Sequence, residues 1–191
     1  MKKNTSHASV LLVMDIQRNG MEFLPDPAPL LRNIEKAISV ARTASIPVIY
    51  VVVGFRIDYP EISSDNKIFY QFKQSGGVFL ETAEGTEIHP AVAPKPGDII
   101  VKKKRISAFA GSDLEIVLRS LKTEQLVVAG FSTGGVVFST VREAADKDYV
   151  QTILSDCCED PDKEVHDLLL TKVLNKQATI LTVKEWSDLL S

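Results

Sequence analysis

The sequence predicts an α/β fold of three layers, in which a six-stranded, mostly parallel sheet has helices on both faces. Six short runs are rich in Val, Ile and Leu, as expected of strands buried on both sides. Segments with apolar residues at helical spacing separate most of these runs. Strands that alternate with helices are typical of a parallel sheet covered on both faces. No repeat, low-complexity tract or linker interrupts the pattern, so we expect one domain over residues 1–191.

The strands and helices follow one another along the chain. The predicted strands are 9–16, 47–55, 97–103, 125–131, 150–156 and 178–183. Helices are expected from Pro29 to Ala41, over 112–121, after the fourth strand to about Asp146, over 160–174 and as a closing turn at 184–190.

Two of these helices carry sequence signals for their first turn. Ser112 and Glu115 have the spacing of a capping box. Asp160 is predicted to be the N-cap of a later helix, with Pro161 at its first position.

Residues 56–98 form the longest irregular segment, rich in Pro, Gly and Ser, with one helix expected near 66–74. A connection of this length in a compact domain typically covers a site or forms an interface.

Composition restricts the classes of partner. The chain has 191 residues, 45% of them apolar, and a net charge of −3 with scattered Lys and Arg, so we expect neither a nucleic-acid nor a membrane partner. No apolar run approaches the ~20 residues of a membrane span. The first apolar run is short and ends in Asp15, which favours a core strand over a signal peptide. Adjacent Cys157 and Cys158 form no disulfide framework, so we expect a reducing, cytoplasmic location.

Polar residues at the strand ends are the candidates for chemistry, because ligands of parallel sheets bind outside the carboxyl ends of the strands. Asp15, at the end of the first strand, is either a turn acid or a functional acid with an environment-tuned pKa. Gln17 can orient Asp15 or bond the local backbone. Residues 102–105 are all basic and indicate a solvated turn, except that one lysine at this strand end can face the crevice and pair with Asp15.

Other reactive residues carry weaker signals. Cys157 and Cys158 lie among acidic residues that disfavour a thiolate, so buried inert thiols are preferred over nucleophiles. The three histidines are far apart, and His166, within a helix, is expected to be solvated. The histidines form no metal-binding pattern, and glycine-rich nucleotide motifs are missing, so we expect no metal and no cofactor.

Three segments in order, "LLVMDIQRN", "VKKKRISAF" and "VVAGFSTGGVVFSTVREA", resemble the isochorismatase-like superfamily, also called the cysteine hydrolases. The likeness runs over nearly the whole chain, including "SDCCEDPDKEVHDLLL". It implies a six-stranded parallel sheet between helices, in agreement with the prediction from the residues alone.

The resemblance implies an Asp-Lys-Cys triad. Asp15 matches the aspartate, and Lys103 matches the lysine, or Lys102 or Lys104 if the register slips by one. The cysteine position, aligned on the following helix, is Val136. Acyl-enzyme chemistry is therefore lost at that position, because Val has no lone pair.

Isochorismatases within the superfamily also lack the cysteine. They cleave a vinyl ether, with an aspartic acid as proton donor and water completing the reaction. Asp15 with Lys103 beside it is compatible with this chemistry, although a neighbouring lysine lowers the pKa of an acid that needs a raised one.

The resemblance also implies an oxyanion site in the turn after the fourth strand, with a cis peptide between Phe131 and Ser132. Backbone N–H groups near Ser132 and Val136 would bind developing negative charge. Thr133 in the same turn and Phe109 of the "SAF" segment are further candidates for the substrate pocket.

Arg56 follows the second strand, where nicotinamidases of the superfamily have their metal-binding histidines. No histidine is present in this region, which supports the absence of a metal. Arg56 is either a surface residue or part of a pocket for an anionic group.

These observations lead to two functional hypotheses. One is an isochorismatase-like hydrolase of a small-molecule substrate that works without a Cys nucleophile, with Asp15 as general acid/base and Lys103. The alternative is a pseudoenzyme that keeps the hydrolase fold and binds a ligand or partner. The resemblance also implies a homo-oligomer, a dimer or tetramer.

Overall fold

The computed structural model describes residues 8–190. Residues 1–7 and 191 of the predicted single domain, His7 included, lie outside them. Within the described residues, six parallel strands form one sheet in the order β3-β2-β1-β4-β5-β6. The strands are β1 (Ser9–Met14), β2 (Val48–Val53), β3 (Ile99–Lys103), β4 (Gln125–Phe131), β5 (Val150–Glu159) and β6 (Thr179–Leu181). The predicted three-layer α/β fold is thus confirmed, and the sheet is parallel throughout.

The helices cover both faces of this sheet. They are α1 (Arg18–Met21), α2 (Ala28–Thr43), α3 (Lys67–Ser75), α4 (Leu114–Ser120), α5 (Phe138–Asp146), α6 (Lys163–Leu168) and α7 (Val183–Leu189). A wide π-turn over Thr133–Val137 precedes α5, and another over Leu169–Val173 continues α6. Single 3-10 turns lie at Glu84–Thr86, Pro90–Val92 and Leu174–Lys176.

Alternation along β1 assigns its side chains to the two halves of the core. Leu11 and Val13 pack on the side of α2 and α7. Leu12 and Met14 pack on the side of α4 and α5. Both sets are buried, which explains why β1 is apolar throughout.

Gly130 allows β4 to lie close to β1. A Cβ atom at this position would come within 2.7 Å of the carbonyl oxygen of Met14. The close approach brings the turn after β4 next to the end of β1, where Asp15 lies.

Two predicted helix caps are not formed. Ser112 accepts from the N–H of Leu114, but Glu115 pairs with Arg119 and Lys147 instead of closing a box. The N-cap of α6 is Asp162, which accepts from the N–H groups of the next turn, whereas Asp160 accepts from Gly134 at 2.7 Å. Both acidic residues that local spacing had assigned to caps therefore bind distant residues, Lys147 and Gly134, in addition to nearby ones.

The segment 56–98 contains α3 at the predicted place and packs over the carboxyl end of β2. Tyr59, Ile62, Phe69 and Phe79 of this segment form a third apolar cluster with Val53 and Phe55. Phe69 lies edge-on to both Phe55 and Phe72, with ring centroids 5.5 and 6.0 Å apart. This cluster is a wall at the sheet edge where the strand-end residues lie.

Candidate active site

Asp15 and Lys103 form an ion pair at the carboxyl edge of the sheet. The Nζ atom of Lys103 lies 2.9 Å from Oδ2 of Asp15, as the strand-end positions predict. Asp15 has a φ of 56°, a left-handed conformation that aspartate tolerates better than most residues, so the chain turns immediately after β1. Its other oxygen, Oδ1, is buried and has no hydrogen-bond partner among residues 8–190.

Strand alternation selects Lys103 from the run of lysines. Lys103 is 2% exposed and lies on the same side of β3 as the buried Val101. Lys102 and Lys104 point to the other side, where both pair with Glu81. Lys103 also donates to the carbonyl of Arg105 at 3.0 Å, so its ammonium is held at two points.

Burial raises the pKa of Asp15 above its ordinary value, and the positive charge of Lys103 opposes the shift. A carboxylate loses most of its hydration in this environment, which favours the protonated form. The sequence left these two effects in conflict, and in the folded protein burial is the larger.

Gln17 is a structural link and does not touch Asp15's carboxylate. Its side-chain amide donates to the carbonyls of Val53 and Thr86 and accepts from the N–H of Val53. Fully buried, it ties the chain after β1 to the end of β2. These partners are distant in sequence, unlike the local backbone expected for it.

The turn after β4 lies beside the Asp15–Lys103 pair. The peptide bond between Phe131 and Ser132 is cis, which confirms the expectation. Phe131, Ser132 and Val136 line a cavity of about 220 Å³ together with Asp15 and Lys103. The position implied for a catalytic cysteine is thus occupied by an apolar side chain that faces the same space as the ion pair.

Thr133 belongs to this turn and lies in the protein interior. It is fully buried, and its hydroxyl is 2.8 Å from Nδ1 of His166. His166 is itself 8% exposed, so the prediction of a solvated histidine is wrong. The helix that carries His166 packs against the turn, an arrangement that its charged sequence neighbours do not reveal.

Arg56 and Phe109 lie outside the cavity lining. The Arg56 side chain is 68% exposed and pairs with Glu61 at 2.7 Å. Phe109 stacks on Tyr149 at 6.1 Å and lies under the ammonium of Lys147. The structure therefore does not bring these two predicted pocket residues to Asp15, because nearer partners hold both.

The thiols are buried in the core and lie outside the cavity lining. Cys157 and Cys158 are 0% and 2% exposed, within a β5 longer than predicted. Burial raises the pKa of Cys158 to about 12 and that of Cys157 still further. Both thiols are protonated at neutral pH, in line with inert core residues.

Sequence reasoning missed the aromatic wall of the cavity. Phe69, Phe72 and Phe79 line it, together with Phe23, Ile68 and Ile106. The helical spacing of Phe69 and Phe72 within the long 56–98 segment was the available signal, since it places both rings on one side of α3.

Other features bear on cofactors and membranes. Among residues 8–190, no three His, Cys, Asp or Glu side chains are close enough to hold a metal ion. The described part of the chain also contains no helix long and apolar enough to cross a membrane.

Comparison with known proteins identifies the family of this chain. Residues 9–185 match the isochorismatase domain. The ureidoacrylate amidohydrolase RutB of Pseudomonas syringae is 32% identical over 139 residues, which cover 67% of this chain and 57% of that protein. The chain thus spans less than three fifths of this curated relative's length.

Solved structures share the fold. A cysteine hydrolase from Pseudomonas syringae pv. phaseolicola superposes with a TM-score of 0.87 at 23% identity, covering 96% of this chain and 92% of that one. The N-carbamoylsarcosine amidase of Thermoplasma acidophilum gives a TM-score of 0.76 at 22% identity, covering 92% and 96% of the two chains.

Proposed function

The chain belongs to the isochorismatase family, and from this premise we propose that it hydrolyses a small molecule without a cysteine nucleophile. Asp15 is the general acid/base and Lys103 its charged partner. The observation that carries the proposal is the buried Asp15–Lys103 pair, which lines one cavity with Val136 and leaves Oδ1 of Asp15 unpartnered.

Proton transfer by Asp15 is the central step. In its protonated form, Asp15 gives its proton to the leaving-group atom of the bond that breaks, while water adds its oxygen to the carbon at the other end of that bond. The leaving group departs with the proton from Asp15, and the proton lost by the water returns to the carboxylate, which restores the acid. Positioned acids of this kind contribute about 10²- to 10⁴-fold to a rate.

The raised pKa of Asp15 supports this role, because an acid must hold a proton near the working pH to donate it. Lys103 provides a fixed positive charge that orients the carboxyl group and stabilises negative charge formed during the reaction. N–H groups of the turn near Ser132 and Val136 are proposed to serve the same purpose.

The relatives suggest which bonds to try. The name of RutB denotes an amidohydrolase of ureidoacrylate. With Val136 at the implied cysteine position, an acyl-thioester intermediate cannot form there. We therefore expect hydrolysis by direct attack of water, of a vinyl ether, an amide or a ureide.

Purified protein should be screened against small vinyl ethers, amides and ureides, and the best substrate used to compare Asp15→Asn with wild type. Asn keeps the shape but transfers no proton, so turnover should fall by about 10² or more. Asp113→Asn, at an exposed position, is the matched control and should retain activity.

Two results would contradict the proposal. Turnover that survives in Asp15→Asn but is lost on alkylation of Cys157 or Cys158 would assign the chemistry to a thiol. Ligand binding without hydrolysis of any of the three bond types would favour a binding protein that keeps the hydrolase fold.

A further inference from the structure

The cavity beside Asp15 is walled mainly by phenylalanine rings. Five of the eight phenylalanines in the chain line it: Phe23, Phe69, Phe72, Phe79 and Phe131. The ring of Phe72 lies edge-on to those of Phe69 and Phe79, at centroid distances of 6.0 and 5.2 Å. Such contacts hold the rings in place before a ligand arrives.

The charged groups of the cavity lining are already paired. Among the described residues that line it, Asp15 and Lys103 are the charged ones, and they neutralise each other at 2.9 Å. Lys103 also donates to the Arg105 carbonyl. While Asp15 is ionised, a substrate carboxylate would lose its hydration here without an unpaired cation to receive it, which is unfavourable. The guanidinium of Arg56, the anion-binding group expected from sequence, lies outside the lining and is paired with Glu61.

The cavity has room for a ring and a small polar group. Its volume is about 220 Å³. An apolar protein cavity of about 150 Å³ holds one benzene molecule. The remaining volume is enough for a small polar group, and Asp15, Lys103 and Ser132 are the polar side chains of the lining.

We propose that the substrate is an uncharged molecule with a ring-sized apolar group, which packs among the phenylalanines while its reacting polar group meets Asp15 and Lys103. The inference rests on the proposed function for where the reaction takes place. It concerns binding, however, and is tested without turnover.

Four small probes separate charge from apolar area. Benzamide, benzoate and benzamidinium share a ring and a planar head group but are neutral, anionic and cationic, and acetamide lacks the ring. Calorimetric titration of the full chain at one pH should give benzamide an affinity at least about tenfold above each of the other three. Benzoate or acetamide binding as tightly as benzamide would overturn the proposal.

Variants show whether the probes occupy this cavity. Phe72→Ala should weaken benzamide binding by about tenfold, whereas Phe138→Ala, a half-buried ring outside the lining, should leave it unchanged. Asp15→Asn removes the negative partner of Lys103 and should move the preference toward benzoate. Equal effects of the two Phe variants, with both folded by their melting transitions, would contradict the assignment.

The outcomes for the substrate class and for the hydrolase are distinguishable. Ring-dependent benzamide binding without hydrolysis of any tested bond would leave the proposed class of ligand standing and remove the proposed function. Asp15-dependent hydrolysis of a charged, ring-free substrate would do the reverse.

Discussion

Asp15 and Lys103 meet across an intervening strand. Asp15 follows β1 and Lys103 ends β3, and β2 lies between these two strands in the sheet. The long lysine side chain reaches over the end of β2 to place its Nζ 2.9 Å from the carboxylate. Neighbouring strands alone do not produce this pair, and a shorter residue at position 103 would not form it.

Loss of the Lys103 charge should damage the site. Lys103→Met keeps most of the stem but leaves the buried Asp15 without its cation, and we expect turnover to fall by at least about tenfold. Lys102→Met is the matched control, because its ammonium is on the opposite side of β3, paired with Glu81. Steady-state kinetics on both variants provides the comparison, and equal effects would exclude a specific role for Lys103.

The pH dependence of turnover should report Asp15. Its pKa is raised by burial, so an acid at this position loses its proton at a higher pH than an exposed aspartate does. As the pH rises through this raised pKa, kcat/KM should fall. This falling limb of the pH–rate profile should be missing from the residual activity of Asp15→Asn. An unchanged limb in that variant would assign the titration to another group.

The free energy of unfolding should also fall as the pH rises through the pKa of Asp15. The folded protein binds the Asp15 proton more tightly than the unfolded chain does, so the contribution to stability is fully present below the ordinary pKa and is lost as the pH rises through the folded value. Urea unfolding of wild type and Asp15→Asn across this range measures the difference. A contribution that grows with pH would show that the pKa is lowered.

A thiol introduced at position 136 should be reactive. Val136 lines the cavity with Lys103 and precedes α5, and a nearby cation and helix N-terminus lower the pKa of a thiol. Val136→Cys should react with iodoacetamide at least about tenfold faster than Val137→Cys, whose side chain is fully buried in the core. Mass spectrometry locates the label, and slow amide or ester hydrolysis is expected as a gained activity.

The native thiols provide the background for that experiment. Cys157 and Cys158 are buried and have raised pKa values, so they should stay unlabelled until the protein is unfolded. Rapid labelling of either residue in the folded wild type would contradict the burial found here.

The Thr133–His166 hydrogen bond should stabilise the turn after β4. Thr133→Val leaves a buried imidazole nitrogen without its partner and should lower the free energy of unfolding by about 1–3 kcal/mol. Thr171→Val, at an exposed helical position, should change it by less than about 0.5 kcal/mol. A double-mutant cycle with His166→Phe isolates the pair, and a coupling energy near zero would mean that the contact contributes nothing.

The sequence by itself determined the sheet and its carboxyl edge, and the family resemblance assigned Asp15 and a lysine of 102–104 to that edge. Continuous apolar runs such as β1 and β2 are recognisable because a strand buried on both faces has no polar side to display. The carboxyl ends of parallel strands share one edge, so Asp15 and Lys103 could be assigned to the same region before any distance was known. Alternation along β3 predicts that one lysine of the basic run faces the crevice, and the structure shows that it is Lys103.

Tertiary structure alone decided the long-range partners of several polar residues. Asp160 and Glu115 keep local partners in Asp162 and Arg119, but they also bind Gly134 and Lys147, which are distant in sequence. The partner of His166, Thr133, was equally beyond the reach of local spacing. The aromatic wall of the cavity forms only when 56–98 folds over β2, because burial is a property of packed surfaces and cannot be assigned to one segment alone.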